Sequence, residues 1–200
     1  MLEAGYIGLH ERDRPGRATR DRDLDTFSLR VIRDPAAGRF DFEAEAMVQT
    51  GTVSAGTAAG AARLDVRAGF LHLDAGYTFP GPERLRVSVE FDQASGDAPG
   101  GRFGRFDTLF GMRRADLSPA GLYAAIGRAN IATPGIRFEI APGPAWDGLA
   151  VYRAMWLDEP TDSFSTTGVR DPSGAAGRFA GHQLEGRVRW WLVRNRLRAE

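Results

Sequence analysis

Apolar and charged residues sort by odd and even position through long stretches of this chain, and that sorting leaves it few folds. Phe40, Phe42, Ala44, Ala46 and Val48 share one parity, while Asp41, Glu43, Glu45 and Gln49 share the other. Leu85, Val87, Val89 and Phe91 alternate with Arg84, Arg86, Ser88, Glu90 and Asp92. Phe27, Leu29 and Val31 oppose Thr26, Ser28 and Arg30; Ile136, Phe138 and Ile140 oppose Arg137 and Glu139; Leu184, Val188 and Trp190 oppose Glu185, Arg187 and Arg189. A period of two places successive side chains on opposite faces of a strand, and helical spacing fits none of these segments. The pattern predicts about nine strands, near 2–9, 24–33, 39–50, 61–79, 83–93, 133–141, 146–157, 181–193 and from 196 onward. Several run about 10–12 residues, against ~5–6 for ordinary globular strands. At ~3.3 Å per residue and a tilt near 45°, eleven residues rise roughly 25 Å, the height of the apolar band of a transmembrane barrel.

The connections sort as well. Short turns are expected at Asp34-Pro35-Ala36-Ala37-Gly38, Pro80-Gly81-Pro82, Pro142-Gly143-Pro144 and near Arg194-Asn195, all but the last built on the Pro and Gly that tight turns use. Long polar connections near 10–23, 51–60, 94–132 and 158–180 alternate with them. A soluble sandwich has no reason to alternate short and long connections, whereas a membrane barrel has short periplasmic turns and long extracellular loops. Within the longest connection, Ser118 as N-cap and Pro119 after it would start a short helix bearing Leu122, Ala125 and Ile126 on one face, which would either fold into the lumen and narrow it or belong to an ordered extracellular loop. The segment 61–79 changes parity, from Ala62, Leu64 and Val66 to Leu71, Leu73, Tyr77 and Phe79. A β-bulge near Gly69 would reset the register in that way.

Bulk composition excludes more than it identifies. Basic and acidic residues balance at 26 each, so no nucleic-acid footprint is present. No run approaches the ~18 apolar residues of a membrane helix. Cysteine is absent, which removes disulfides and thiolate metal sites. The first residues, Met1-Leu2-Glu3-Ala4-Gly5-Tyr6, lack the basic and apolar regions of a signal peptide. With an odd strand count and no aromatic-terminated last strand, the expectation is a single partial barrel domain over 1–200, truncated at both ends.

The charged parity must face water, because one Arg at the bilayer midplane costs ~2–4 kcal/mol. That water is a lumen in a barrel and bulk solvent in a soluble sheet, and alternation alone does not separate the two. Aromatics on the opposite parity, Phe27, Phe40, Phe91, Tyr152, Trp156 and Trp190, suit the interfacial girdles of a barrel. The candidate lumen arginines are Arg30 and Arg86 in the first strands and Arg137, Arg153, Arg187 and Arg189 in the later ones, joined by Arg196 and Arg198. Arg63, Arg67 and Arg84 are expected on the same side. Guanidinium groups attract carboxylates and bind them in planar, bidentate fashion. With no lysine in the chain, every such cation is permanently charged. Cross-strand Arg–carboxylate pairs that only stiffen the wall would give the same pattern.

No other group of residues in the chain has the makings of an enzyme site. His10, His72 and His182 lie on different elements with no metal-ligand spacing, so no metal or other cofactor is expected. The Gly100-Gly101-Arg102-Phe103-Gly104 run lacks the lysine of a phosphate loop, and no Gly-x-Ser-x-Gly elbow exists. No catalytic residues are assigned.

The second half of the chain carries motifs similar to the alginate export family of outer-membrane barrels. They are Phe106-Asp107-Thr108-Leu109-Phe110-Gly111, Gly127-Arg128-Ala129-Asn130-Ile131, Pro134-Gly135-Ile136-Arg137, Tyr152-Arg153-Ala154-Met155-Trp156-Leu157, Ser165-Thr166-Thr167-Gly168-Val169-Arg170-Asp171 and Gly181-His182-Gln183-Leu184-Glu185. The resemblance implies a monomeric, up-and-down antiparallel barrel of about eighteen strands in the Gram-negative outer membrane, with an arginine-rich lumen that passes alginate. It also implies that Arg128, Arg137 and Arg153 face that lumen with Asn130 beside them, and it leaves room for periplasmic secretion components as partners. The expected function is therefore a porin-like channel for an anionic polysaccharide. A channel for small organic anions, a soluble β-sandwich that binds carbohydrate and an outer-membrane hydrolase stand as the alternatives.

Overall fold

The computed structural model describes residues 1–14, 16–109, 117, 126–193 and 195–200. Among them the chain forms one sheet of ten strands: β1 Leu2–His10, β2 Asp23–Arg33, β3 Arg39–Ser54, β4 Arg63–Thr78, β5 Arg86–Ala94, β6 Arg102–Phe103, β7 Ile131–Ile140, β8 Trp146–Trp156, β9 Phe179–Val193 and β10 Leu197–Ala199. The order across the sheet is β1-β2-β3-β4-β5-β7-β8-β9-β10, each strand antiparallel to its neighbours, so the chain meanders from edge to edge. The expected strands and the alternation of turns with loops are all present. The two-residue β6 is the addition; it lies parallel to the upper part of β4, where β5 no longer pairs. Among the described residues the sheet does not close, and the outer edges of β1 and β10 carry no partner strand.

Burial is inverted relative to a soluble sheet. Phe40, Leu184, Leu2, Tyr6, Val89 and Trp190 lie exposed, the first two at 72% and 78% of their full accessible surface. Asp41, Glu90, Asp92 and Arg153, on the other parity, are buried. We call the buried face inner, because the long connections fold onto it. So many large apolar side chains left uncovered on one face form the kind of contiguous patch that soluble monomers rarely expose and that marks a membrane or protein contact. In lipid the same face is in its proper solvent. Aromatic pairs mark both ends of the outer face: Tyr6 with Phe27 and Trp156 with Phe179 toward the loops, Phe40 with Tyr77 and Tyr77 with Phe79 toward the turns.

The parity change in β4 is not a bulge. β3 and β4 pair residue for residue from Arg39↔Thr78 to Ser54↔Arg63 with no register shift, Val48 opposite Gly69. What changes is the solvent on each face. Below the level of Met47↔Phe70, the inner face carries Glu43, Glu45, His72 and Asp74, and the outer face carries Ala44, Leu71 and Leu73. Above it the outer face turns to Thr50, Thr52, Asp65 and Arg67, while Val53, Val66, Ala68 and Phe70 are buried inside. Arg63 and Arg67 accordingly belong to the outer face above the apolar band, not to the lumen parity. Register irregularities occur instead at the ends of β9, beside Met155/Trp156 and Leu197/Arg198.

The buried apolar cluster sits at this upper, loop-covered level. Leu24, Val53, Val66, Phe70, Ile131 and Met155 come from the sheet, and Phe106 and Leu117 from the connection between β5 and β7. Ile126 packs against the cluster; the expected helix start at Ser118 and Pro119, with Leu122 and Ala125, lies outside the described residues.

Candidate functional site

Below the apolar cluster the inner wall is a ladder of ion pairs crossing β3, β4, β5, β7 and β8. Arg153 donates to Glu90 Oε2 at 2.5 Å and Asp92 Oδ2 at 3.0 Å, and His72 Nδ1 lies 2.6 Å from the other oxygen of Asp92. Arg137 reaches Glu90 at 3.3 Å and Glu139 at 3.0 Å. Arg86 donates to Glu139 at 3.0 Å, to Asp41 through Nε at 3.0 Å, and through Nη2 to both Asp41 and Asp74. Gly76 makes that reach possible: a Cβ there would lie 2.6 Å from the Arg86 guanidinium. A cavity of about 480 Å³ opens onto this ladder, lined by Arg30, Glu43, His72, Arg86, Arg137 and Glu139 among others.

Arg30, Arg86, Arg128, Arg137, Arg153, Arg187 and Arg189 each have a carboxylate partner. Arg30 pairs with Glu43 at 2.7 Å and Glu3 at 3.1 Å. Arg128 lies over the Phe70 ring at 4.5 Å and reaches Glu45 at 3.6 Å. Arg189 binds Asp147 at 2.8 Å, and Arg187 approaches the same oxygen at 3.8 Å. Arg86 and Arg153 are nearly buried by their partners, whereas Arg30, Arg128, Arg137, Arg187 and Arg189 keep a fifth or more of their side chains open. Arg84 sits in a turn at positive φ, and Arg198 pairs with the chain-terminal Glu200. The wall is also unevenly charged. Across β1–β5, Glu3, Asp41, Glu43, Glu45, Asp74, Glu90 and Asp92 outnumber Arg30 and Arg86. Across β7–β9, Arg137, Arg153, Arg187 and Arg189 outnumber Glu139, Asp147 and Glu185.

Asn130 departs from the expectation that it stands beside these arginines. It is fully buried, and its side chain is spent on the connection between β8 and β9: Nδ2 donates to the carbonyls of Glu159 and Ser163, both at 3.0 Å, and Oδ1 accepts from Glu159 N at 2.7 Å. It is the centre of a clamp between the two longest connections. Arg105 donates to Asp162 at 2.7 Å, to Ser163 O at 2.8 Å and to Ser165 O. Ser165 Oγ accepts from Gly127 N and donates to its carbonyl, and Asp97 N donates to Asp162 at 3.0 Å. Gly96 packs against the Asn130 amide so closely that a Cβ would collide with it.

The connection between β1 and β2 joins the same assembly. Arg22 donates to Glu11 at 2.8 Å and Asp107 at 2.7 Å. The hydrogen bond from Arg22 holds the Glu11 carboxyl below its usual range and raises the guanidinium in turn. Asp107 also exchanges backbone hydrogen bonds with the buried amide of Gln49. So three connections close over the inner face at the loop end; from the sequence, inward folding is an alternative for 94–132 alone. His182 is on the outer face, its Nδ1 2.8 Å from the Tyr152 hydroxyl, and it belongs to the aromatic girdle.

An uncovered apolar exterior, a charged interior and loops packed into one end are the parts of a membrane channel wall. No curated protein matches the chain. The profile of one family, described as Alginate export, matches residues 2–200, well beyond the half in which the motifs stand out. The chain belongs to the alginate export family of outer-membrane β-barrels.

Proposed function

We propose that this chain forms an arc of an outer-membrane conduit through which an alginate-like anionic polysaccharide passes, its carboxylates following the arginine-bearing wall of β7–β9. The inverted burial carries this reading: carboxylates and guanidiniums sit inside, and aromatic and aliphatic side chains sit outside where lipid can cover them. Strands that add to the free edges of β1 and β10 complete the enclosure, so that 1–200 is part of one barrel domain. The contacts to cargo fall on Arg128, Arg137, Arg187 and Arg189, which keep open surface, while Arg86 and Arg153 brace the wall. Rings and strips of permanent cations are a usual basis of anion selectivity. Passage requires no bond to be made or broken, so no side chain is assigned a catalytic role; periplasmic secretion components would deliver the polymer.

The test is electrical. In planar bilayers under a salt gradient, the full-length protein should show a reversal potential on the anion side and should be blocked by alginate oligomers at concentrations where monomeric acids do not block. Arg187→Ala combined with Arg189→Ala should move the reversal potential toward zero with folding unchanged. An unmoved potential removes the β7–β9 track; equal block by monomeric acids makes the cargo a small anion instead.

A further inference from the structure

A second cavity, of about 380 Å³, lies at the loop end of the inner face, apart from the charged ladder. Its floor is apolar, made by Leu24 of β2, Val53 of β3, Val66 of β4 and Phe103 of β6. Its rim is polar and comes from the β1–β2 connection and from Asp107, Gln49 and Thr57. The size falls in the range of ligand sites, about 300–1,000 Å³, and an apolar floor with a few directed polar groups is their usual composition.

The rim's charges are not equally available. Arg22 binds both rim carboxylates, Glu11 and Asp107, and Gln49 spends its amide on Thr26 and on the Asp107 backbone. Arg20 uses only Nε, donated to Ser54 O at 2.9 Å, and its guanidinium lies 4.6 Å from the centre of the Phe103 ring. Its terminal nitrogens take no partner among the described residues. Arg17, exposed on the rim, makes no ion pair within 4 Å among the described residues and acts only through space on Glu11. The cavity therefore offers an apolar floor and two guanidinium groups, Arg20 with its terminal nitrogens unspent and Arg17 outside any ion pair among the described residues, and its rim carries more positive than negative charge.

We propose that this cavity is a binding subsite for one uronate residue of the polymer, at the loop end of the channel. The sugar ring's C–H face lies on Val53, Val66 and Leu24, and the carboxylate is bound by Arg20 and Arg17; the Thr57 hydroxyl is placed to meet a ring hydroxyl. Guanidinium groups suit this task because their fork matches a carboxylate's two oxygens. A neutral hexose would lose that contact and bind more weakly. The inference rests on the channel reading above and deepens it, by giving the polymer a resting place where it meets the loops.

The full-length protein in detergent is titrated calorimetrically with alginate tetrasaccharide and with cellotetraose as the neutral counterpart of the same length. The wild type should bind the alginate and prefer it over cellotetraose by about tenfold or more, and Arg17→Glu with Arg20→Gln should remove that preference. The Arg17 side chain makes no hydrogen bond or ion pair among the described residues, so Arg17→Glu alone keeps the test decisive if the Arg20 change impairs folding. Val66→Phe, which fills the floor, should weaken both sugars. Wild-type binding that neither Arg17→Glu nor Val66→Phe alters overturns the subsite and leaves the channel reading standing. Failure of the wild type to bind alginate oligomers, in a preparation that still conducts chloride, overturns the subsite and the polysaccharide cargo together.

Discussion

Arg86 shows what the inner wall asks of a single residue. It satisfies carboxylates from β3, β4 and β7 at once, and it can do so because Gly76 leaves the space its guanidinium occupies. Removing it strands the buried Asp41 and the nearly buried Asp74, and breaking such a pair costs ~3–5 kcal/mol. Arg86→Ala should therefore lower the urea midpoint of the reconstituted protein strongly. Arg189→Ala should cost less than ~1 kcal/mol and so move the midpoint little, because both Arg189 and Asp147 are about 30% exposed and screened by water. Equal shifts for the two would mean that the ladder does not brace the wall. Outside the membrane-spanning strands, Glu11 has its carboxyl held below its usual range by Arg22. A group depressed in the folded state contributes stability above its unfolded value, ~4.3, and loses it as pH falls through the lower folded value. A spin label at Ala18→Cys should thus keep constant mobility from pH 8 to about 5 and loosen only below about 4. Loosening between pH 7 and 5 would contradict the pairing.

At the scale of elements, the loop clamp and the strands were unequally readable. Strand positions follow from a local rule, because lipid and water each select one parity, and every expected strand is present. The same rule misleads in β4. A bulge and an exchange of solvents between faces produce the same change of parity in sequence, and only the unbroken β3–β4 register distinguishes them. Of the wall, the arginines could be read, and so could Asp41, Glu43, Glu45, Glu90 and Asp92; Asp74 and Asp147 needed partners on other strands to be recognised. The clamp left no periodic trace. Its bonds join side chains to backbone atoms some thirty to sixty positions away, as Asn130 to Ser163 and Arg105 to Ser165. Asn130→Ala removes three of these bonds and leaves buried carbonyls and an amide without partners, a cost of ~1–3 kcal/mol for each group left unsatisfied. The variant should conduct more current per channel and should be cut faster by protease within 157–178. Wild-type conductance with unchanged cleavage would place the clamp outside the conduction path.

For the whole molecule, everything turns on which solvent touches which face. Five carboxylates and three arginines tied into one ladder would be an odd investment on the outside of a soluble sheet, and the exposed Phe40, Val89 and Leu184 would be an aggregation hazard. Both make sense when the ladder borders water inside a closed barrel and the apolar side meets acyl chains. Residues 1–200 contain no cysteine, so single nitroxide labels placed there meet no competing thiol within this segment. Labels at positions 87 through 92 of β5, in the full-length protein reconstituted into liposomes, test this directly by collision with oxygen and with a water-soluble nickel chelate. Positions 87, 89 and 91 should collide with oxygen and be shielded from nickel, and 88, 90 and 92 should be shielded from oxygen, with period two throughout. Labels at 87, 89 and 91 that collide with neither reagent would mean a dry face covered by a second sheet, and the account would be wrong.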